Sequence, residues 1–121
     1  VNPLTLLLLL FVGAGLLLIA ISIPLMQRRI KPNYWYGFRT KRTLSNPDIW
    51  YEVNAYAGKR LLVSGFMTTM AAIGLYFIPR LTIDGYAWSM LFFALVPLTI
   101  GVWQSFQYLD RRFPKAKNTP E

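Results

Sequence analysis

The 121-residue chain is 55% hydrophobic and 15% charged, with a mean hydropathy of +0.37 and a formal net charge of +8. That balance fits a small, single-domain integral membrane protein rather than a soluble domain. The sequence contains no cysteine and no histidine, which removes disulfides, thiolate chemistry, the commonest metal ligand and the neutral-pH proton shuttle, so neither metal nor cofactor is expected.

The first element is a span at about residues 4–26. Leu4 to Leu25 is almost continuously apolar, and about 20 such residues cross a bilayer. A cleaved signal would carry basic residues ahead of its apolar run, whereas here Arg28 and Arg29 follow it. A polar insert occupies residues 27–60. A second span is expected at about 61–79, closing at Pro79, and a third at about 86–108, where Pro97 removes a helical hydrogen bond and predicts a bend near Phe93. Asp84-Gly85 is the turn signal between these two spans. Ser64, Thr68 and Ala72 form a stripe of small side chains on the second span, which allows another helix to approach closely. The basic tail, 109–121, lacks apolar periodicity and is expected to be flexible.

Charge sets the expected orientation. Arg28, Arg29, Lys31, Arg39, Lys41, Arg42, Lys59 and Arg60 lie between the first two spans, Arg111, Arg112, Lys115 and Lys117 follow the third, and Arg80 alone lies between the second and third. Positive residues collect in the cytoplasm, so the expected fold is all-α with three transmembrane helices, the N-terminus outside and the C-terminus inside. The expected location is the bacterial inner membrane. Arg28, Arg29, Lys31, Lys41, Arg42, Lys59 and Arg60 are read as contacts for anionic lipid headgroups, and membrane lipids as partners. This tethered charge carries no nucleic-acid recognition motif, so no nucleic acid is expected.

The insert divides in two. Residues 31–44 read as an ordered loop, in which Gly37 permits a backbone turn that other residues resist. Asn46 then caps a short amphipathic interfacial helix whose first residue is Pro47, which is expected to turn near Gly58 into the second span. Asp48 and Glu52 suit the positive end of that helix. Their spacing offers no nucleophile–base arrangement, so the chain is read as non-catalytic. The aromatics Tyr34, Trp35, Tyr36, Trp50, Tyr51 and Tyr56 fit an interfacial collar without any ligand. Asn33, Arg39, Thr40, Asn54 and the glycines are not needed by a collar; they suit a hydrogen-bonded loop docked on a helix.

The order Pro32-Asn33, Trp35, Gly37, Arg39-Thr40, Thr43, Ser45, Trp50, Asn54 and Gly58 resembles the immunity-protein family of the sporulation-delaying toxin system. Better-known members carry further spans before this module, so the resemblance implies a short three-span form of the C-terminal module. It departs at Lys41, where the family usually has proline, and a looser loop exit or an extra lipid contact is expected there. Such members protect the producing cell from a secreted toxic peptide and hold a cytoplasmic repressor at the membrane when toxin is present. The resemblance implies a non-catalytic protein that binds a peptide, membrane or cytoplasmic protein partner, with Asn33, Trp35, Gly37, Arg39, Thr40, Trp50, Asn54 and Gly58 either contacting that partner or organising the loop. The alternative is an accessory structural subunit of a larger bacterial membrane complex (respiratory, photosynthetic or transport).

Overall fold

The computed structural model describes residues 2–115. Among them the chain forms helices α1 (Pro3–Met26), α2 (Lys41–Ser45), α3 (Pro47–Tyr76) and α4 (Ile83–Arg112), with no strand. The three long helices begin at residues suited to capping. Asn2 and Asn46 accept from the amides of Leu4 and Asp48, each at 2.9 Å and each with proline next in sequence. Thr82 accepts from Gly85 at 2.9 Å. Asp84-Gly85 therefore lies in the first turn of α4, and the reversal falls earlier, where Arg80 takes a left-handed φ of 64°. α1 ends the same way. Arg28 adopts φ 59°, and the amides of Arg28 and Arg29 bond back to the carbonyls of Leu25 and Pro24 at 3.2 and 3.0 Å.

The expected turn near Gly58 does not occur, because α3 is a single helix of 30 residues, about 45 Å long at 1.5 Å per residue. Glycine inside a helix costs up to about 1 kcal/mol relative to alanine, and here packing offsets that cost. A Cβ at Gly58 would lie 3.0 Å from the Ser22 carbonyl oxygen on α1. One further step along the contact, a Cβ at Gly65 would lie 2.7 Å from the Gly15 carbonyl oxygen, and one at Gly15 would lie 2.9 Å from the Gly65 oxygen. The two backbones thus nearly touch, and any side chain there would hold them apart. α3 packs along both α1 and α4, which make little contact with each other.

The stripe of Ser64, Thr68 and Ala72 is buried as expected. Toward the α3–α4 turn, Ala72, Tyr86 and Met90 form a fully buried cluster packed by Leu8, Phe11 and Leu75, and the Tyr86 hydroxyl donates to the Ala72 carbonyl at 2.9 Å. Large apolar residues such as Leu9, Leu10, Leu17, Phe66, Phe92 and Trp103 point outward, while Ser22, Asn54, Ser64, Thr68 and Ser105 are buried. That inside-out distribution suits a bundle solvated by hydrocarbon, where small and polar residues mediate helix contact. Two described helices are long and apolar enough to cross a membrane: α1, with mean hydropathy 2.9, and α4, with 1.6. In α3, Lys59 and Arg60 sit at the edge of the apolar portion. The tail expected from residue 109 remains helical through Arg112, with Leu109 fully buried, and residues 116–121 of that expectation lie outside the described residues.

The glycine contact makes a direct prediction. Gly65→Leu should destabilise the bundle by about 1–3 kcal/mol, whereas Gly74→Ala, with nothing within 4 Å of the added carbon, should leave thermal unfolding in detergent unchanged or slightly improved. Equal midpoints for the two variants would contradict the close approach.

Candidate functional site

Residues 27–40 cross from α1 to α2 without regular structure, so their backbone groups need other partners. Asn33 provides the first set. Its Oδ1 accepts from the amides of Trp35 at 2.8 Å and Tyr36 at 2.7 Å, and its Nδ2 donates to the Lys31 carbonyl at 2.7 Å. This is the self-bonded turn that asparagine forms readily. Arg39 donates to the Tyr34 carbonyl from the other side of the turn. The Tyr36 hydroxyl donates to the Ile21 carbonyl, fixing the loop to α1.

Asn54, one of the α3 residues and 2% exposed, provides the second set. Its Oδ1 accepts from the Phe38 amide at 2.6 Å while its Nδ2 donates to the carbonyls of Phe38 at 3.2 Å and Trp50 at 3.0 Å. The side-chain amide therefore pairs with a loop residue much as a neighbouring strand would. Gly37 makes this possible in two ways. Its φ of 120° disfavours L side chains, and a Cβ there would lie 2.7 Å from Asn54 Oδ1 and 3.1 Å from the Trp50 ring. Trp50 is fully buried beneath the loop and donates Nε1–H to the Ile30 carbonyl at 2.8 Å. The Phe38 ring meets Phe106 of α4 edge-on, with centroids 4.8 Å apart. Thr40 begins α2 in a reciprocal cap: its Oγ1 accepts from the Thr43 amide at 3.1 Å, and Thr43 Oγ1 accepts from the Thr40 amide at 2.7 Å.

Asn33, Gly37, Arg39, Thr40, Trp50 and Asn54 thus meet in one constellation. Gly58 belongs instead to the α1–α3 contact. Trp35 belongs to the constellation only through its backbone, because its side chain is 92% exposed and Tyr34 beside it is 75% exposed.

An ionic clamp lies next to the loop. Glu52 accepts from the Tyr108 hydroxyl at 2.6 Å and from Arg28 at 3.0 Å, with Arg112 Nε at 3.8 Å. The segment after α1 and both long helices α3 and α4 converge on this carboxylate. The Tyr108 hydrogen bond, followed by that of Arg28, holds the Glu52 carboxyl below its ordinary value of 4.5. Tyr108 also stacks on Tyr56, with ring centroids 4.2 Å apart. Glu52 therefore joins helices rather than merely complementing a helix dipole.

The basic residues do not behave as one collar. Arg29, Lys31, Lys41 and Lys59 are exposed, and Arg28 is partly engaged by Glu52. Arg42, expected at the headgroups, is buried: it forms an ion pair with Asp110 and donates to the Phe113 carbonyl at 2.9 Å at the end of α4. Arg60 is half-buried, with its guanidinium 5.8 Å from the Tyr56 ring centroid and Nη1 donating to Gln104 at 3.3 Å. Nothing local marks the Arg42–Asp110 pair, whose members lie 68 positions apart.

A family model described as the SdpI/YfhL protein family matches residues 29–104, the stretch holding the braced loop, all of α3 and most of α4. The chain belongs to the SdpI/YfhL protein family. It is 38% identical over 65 residues to the uncharacterized protein YfhL of Bacillus subtilis (strain 168), a match covering 53% of this chain and 56% of that protein. The chain therefore spans about half the length of this curated relative. No solved structure matches. Family membership and the two apolar helices together mark a membrane protein. Within the family pattern, Lys41 stands at the first position of α2. Proline is favoured at that position because its missing donor would go unpaired anyway, and with lysine there the Thr40–Thr43 cap still forms.

Two expectations follow. Asn54→Ala should cost about 1–3 kcal/mol, since buried backbone groups lose their partner; together with Asn33→Ala and Arg39→Ala it should expose residues 31–42 to trypsin without loss of membrane insertion. Wild-type proteolysis of all three would rule out a braced loop. Because the Glu52 value is lowered in the folded state, its stabilisation is complete above 4.5 and is lost as pH falls below 4.5 through the folded-state value. Thermal midpoints measured from pH 6 downward should fall for wild type in that window, and Glu52→Gln should flatten the decline.

Proposed function

We propose that this chain is a non-catalytic, three-span protein of the bacterial inner membrane, N-terminus outside, that binds a peptide or protein partner in the manner of toxin-immunity and signalling proteins. The observation that carries the reading is Trp35, exposed on a turn whose backbone is fixed by Asn33 and Arg39. A rigid aromatic presented at low entropic cost is the side chain most able to anchor an interface. A cytoplasmic partner meets this loop, and a toxic peptide meets the outer turn or the spans. The span reading draws on dimensions: α3, about 45 Å long, exceeds the hydrocarbon core of about 30 Å, so its polar first turns carry Trp50, Glu52 and Asn54 out of the bilayer beside the loop. The concentration of basic residues at that end supports its cytoplasmic placement. Two of the carboxylates have structural partners: Glu52 is clamped and Asp110 pairs with Arg42. This supports a binding rather than a chemical role.

Expression in a toxin-sensitive host tests the reading. Wild type should protect, and Trp35→Ala should weaken binding to the cytoplasmic partner by roughly thirtyfold, the effect of losing a 2 kcal/mol interface anchor, with unchanged membrane levels. Full killing despite protein in the membrane would exclude the immunity role. An unchanged partner affinity in Trp35→Ala would exclude the loop as the docking platform.

A further inference from the structure

A cleft of about 410 Å³ lies between α1, α3 and α4, with Trp35 and Tyr36 of the loop at its rim. Its volume falls within the range of about 300–1,000 Å³ common to small-molecule sites. Its walls include Ile21, Leu61, Leu98 and Val102, and Val102 is 45% exposed on the outer surface of α4, so the cleft can be entered from the lipid-facing side.

Two polar atoms interrupt this apolar lining. Arg60 Nε and Ser64 Oγ are buried without a hydrogen-bond partner, and both residues line the cleft. Neighbouring hydroxyls do otherwise: Ser105, in the same lining, donates to the Gly101 carbonyl and Thr68 to the Ser64 carbonyl, each at 2.8 Å. An unmade hydrogen bond in such surroundings is costly, more so for a charged group. Arg60 has no carboxylate partner among the described residues; Gln104 and the Tyr56 ring engage it, and both are neutral. Arg60 and Ser64 are one helical turn apart on α3 and so share a face. The unmet demand is therefore for an anion with several acceptor oxygens, attached to an apolar body that fills the rest of the cleft.

We propose that the cleft binds one anionic phospholipid of the inner leaflet, its phosphate accepting from Arg60 Nε–H and Ser64 Oγ–H and an acyl chain lying along Leu61, Leu98 and Val102. Phosphate oxygens match a guanidinium by geometry as well as by charge. The bilayer supplies this ligand at the depth where α3 passes from its polar to its apolar portion, beside exposed Lys59. Exposed lysines attract any anionic surface, whereas a cleft with two buried donors selects a single molecule.

The proposal rests on the membrane-spanning reading above, whose failure would appear separately, as recovery of the protein in the soluble fraction. The test is native mass spectrometry of the full chain, extracted from membranes in mild detergent and titrated with phosphatidylglycerol or with phosphatidylethanolamine of identical chains. Wild type should retain one phosphatidylglycerol with about tenfold preference, because both lipids offer the phosphate but the ethanolamine ammonium of the second is repelled by the Arg60 guanidinium. Arg60→Gln should reduce that preference to near one. Val102→Trp, which fills the cleft from an exposed position and leaves helix packing alone, should abolish retention of either lipid with circular dichroism unchanged. Equal retention of both lipids by wild type, no retention, or retention unaffected by Val102→Trp would each overturn the proposal. Displacement of the lipid by free fatty acid or inorganic phosphate at equal concentration would also overturn it, by assigning the site to a carboxylate or to a soluble anion.

Discussion

Irregular backbone packed against helices must have its amides and carbonyls satisfied, and the side-chain amide of Asn54 meets that requirement for the loop. It bonds both backbone groups of Phe38, so the loop gains the pairing of a sheet edge without a second strand. Much else is arranged around this contact. Gly37 is where the backbone comes close enough to Asn54, Trp50 supplies the apolar floor, and Asn33 closes the turn that leads in. Displacing Asn54 would leave the Trp50 surface uncovered and the Phe38 ring without support for its contact with Phe106.

That arrangement depends in turn on α3 staying continuous and close to α1. The glycines at 15, 58 and 65 permit a separation that places Trp50 Nε1 within reach of the Ile30 carbonyl just beyond α1. The loop, the clamp at Glu52 and the cleft beside Arg60 are then successive levels along one helix, each drawing on both neighbours. Phe38, Tyr108 and Gln104 are the points at which these levels reach or leave α4.

Much of this could be read from the residues alone. The apolar run of α1, the caps at Asn46 and Pro47, the buried stripe at Ser64, Thr68 and Ala72, and the set Asn33, Gly37, Arg39 and Asn54 each follow from local chemistry or from helical spacing. Gly58 was misleading because a glycine beside two basic residues signals a break as readily as a close packing contact, and only the position of Ser22 on α1 decides between them. Arg42 and Glu52 were misread for a related reason. Their partners, Asp110 and Tyr108, lie far away in sequence, and a charged residue in a basic segment carries no mark of whether it faces lipid or another helix. The cleft was not visible at all, since it is the space left among three helices and a loop.

The partners chosen at the Glu52 junction also fix how the protein responds to its surroundings. The carboxylate is stabilised in its charged form by a phenol and by arginine, and the sequence contains no histidine or cysteine. No side chain with an ordinary titration point between pH 5 and 8, and none with thiol redox chemistry, is available to loosen the convergence of the three helices. The junction is a fastening rather than a latch: its carboxylate is held in the charged form by its partners, and neither a mild pH change nor a thiol-directed oxidant has a group there to act on.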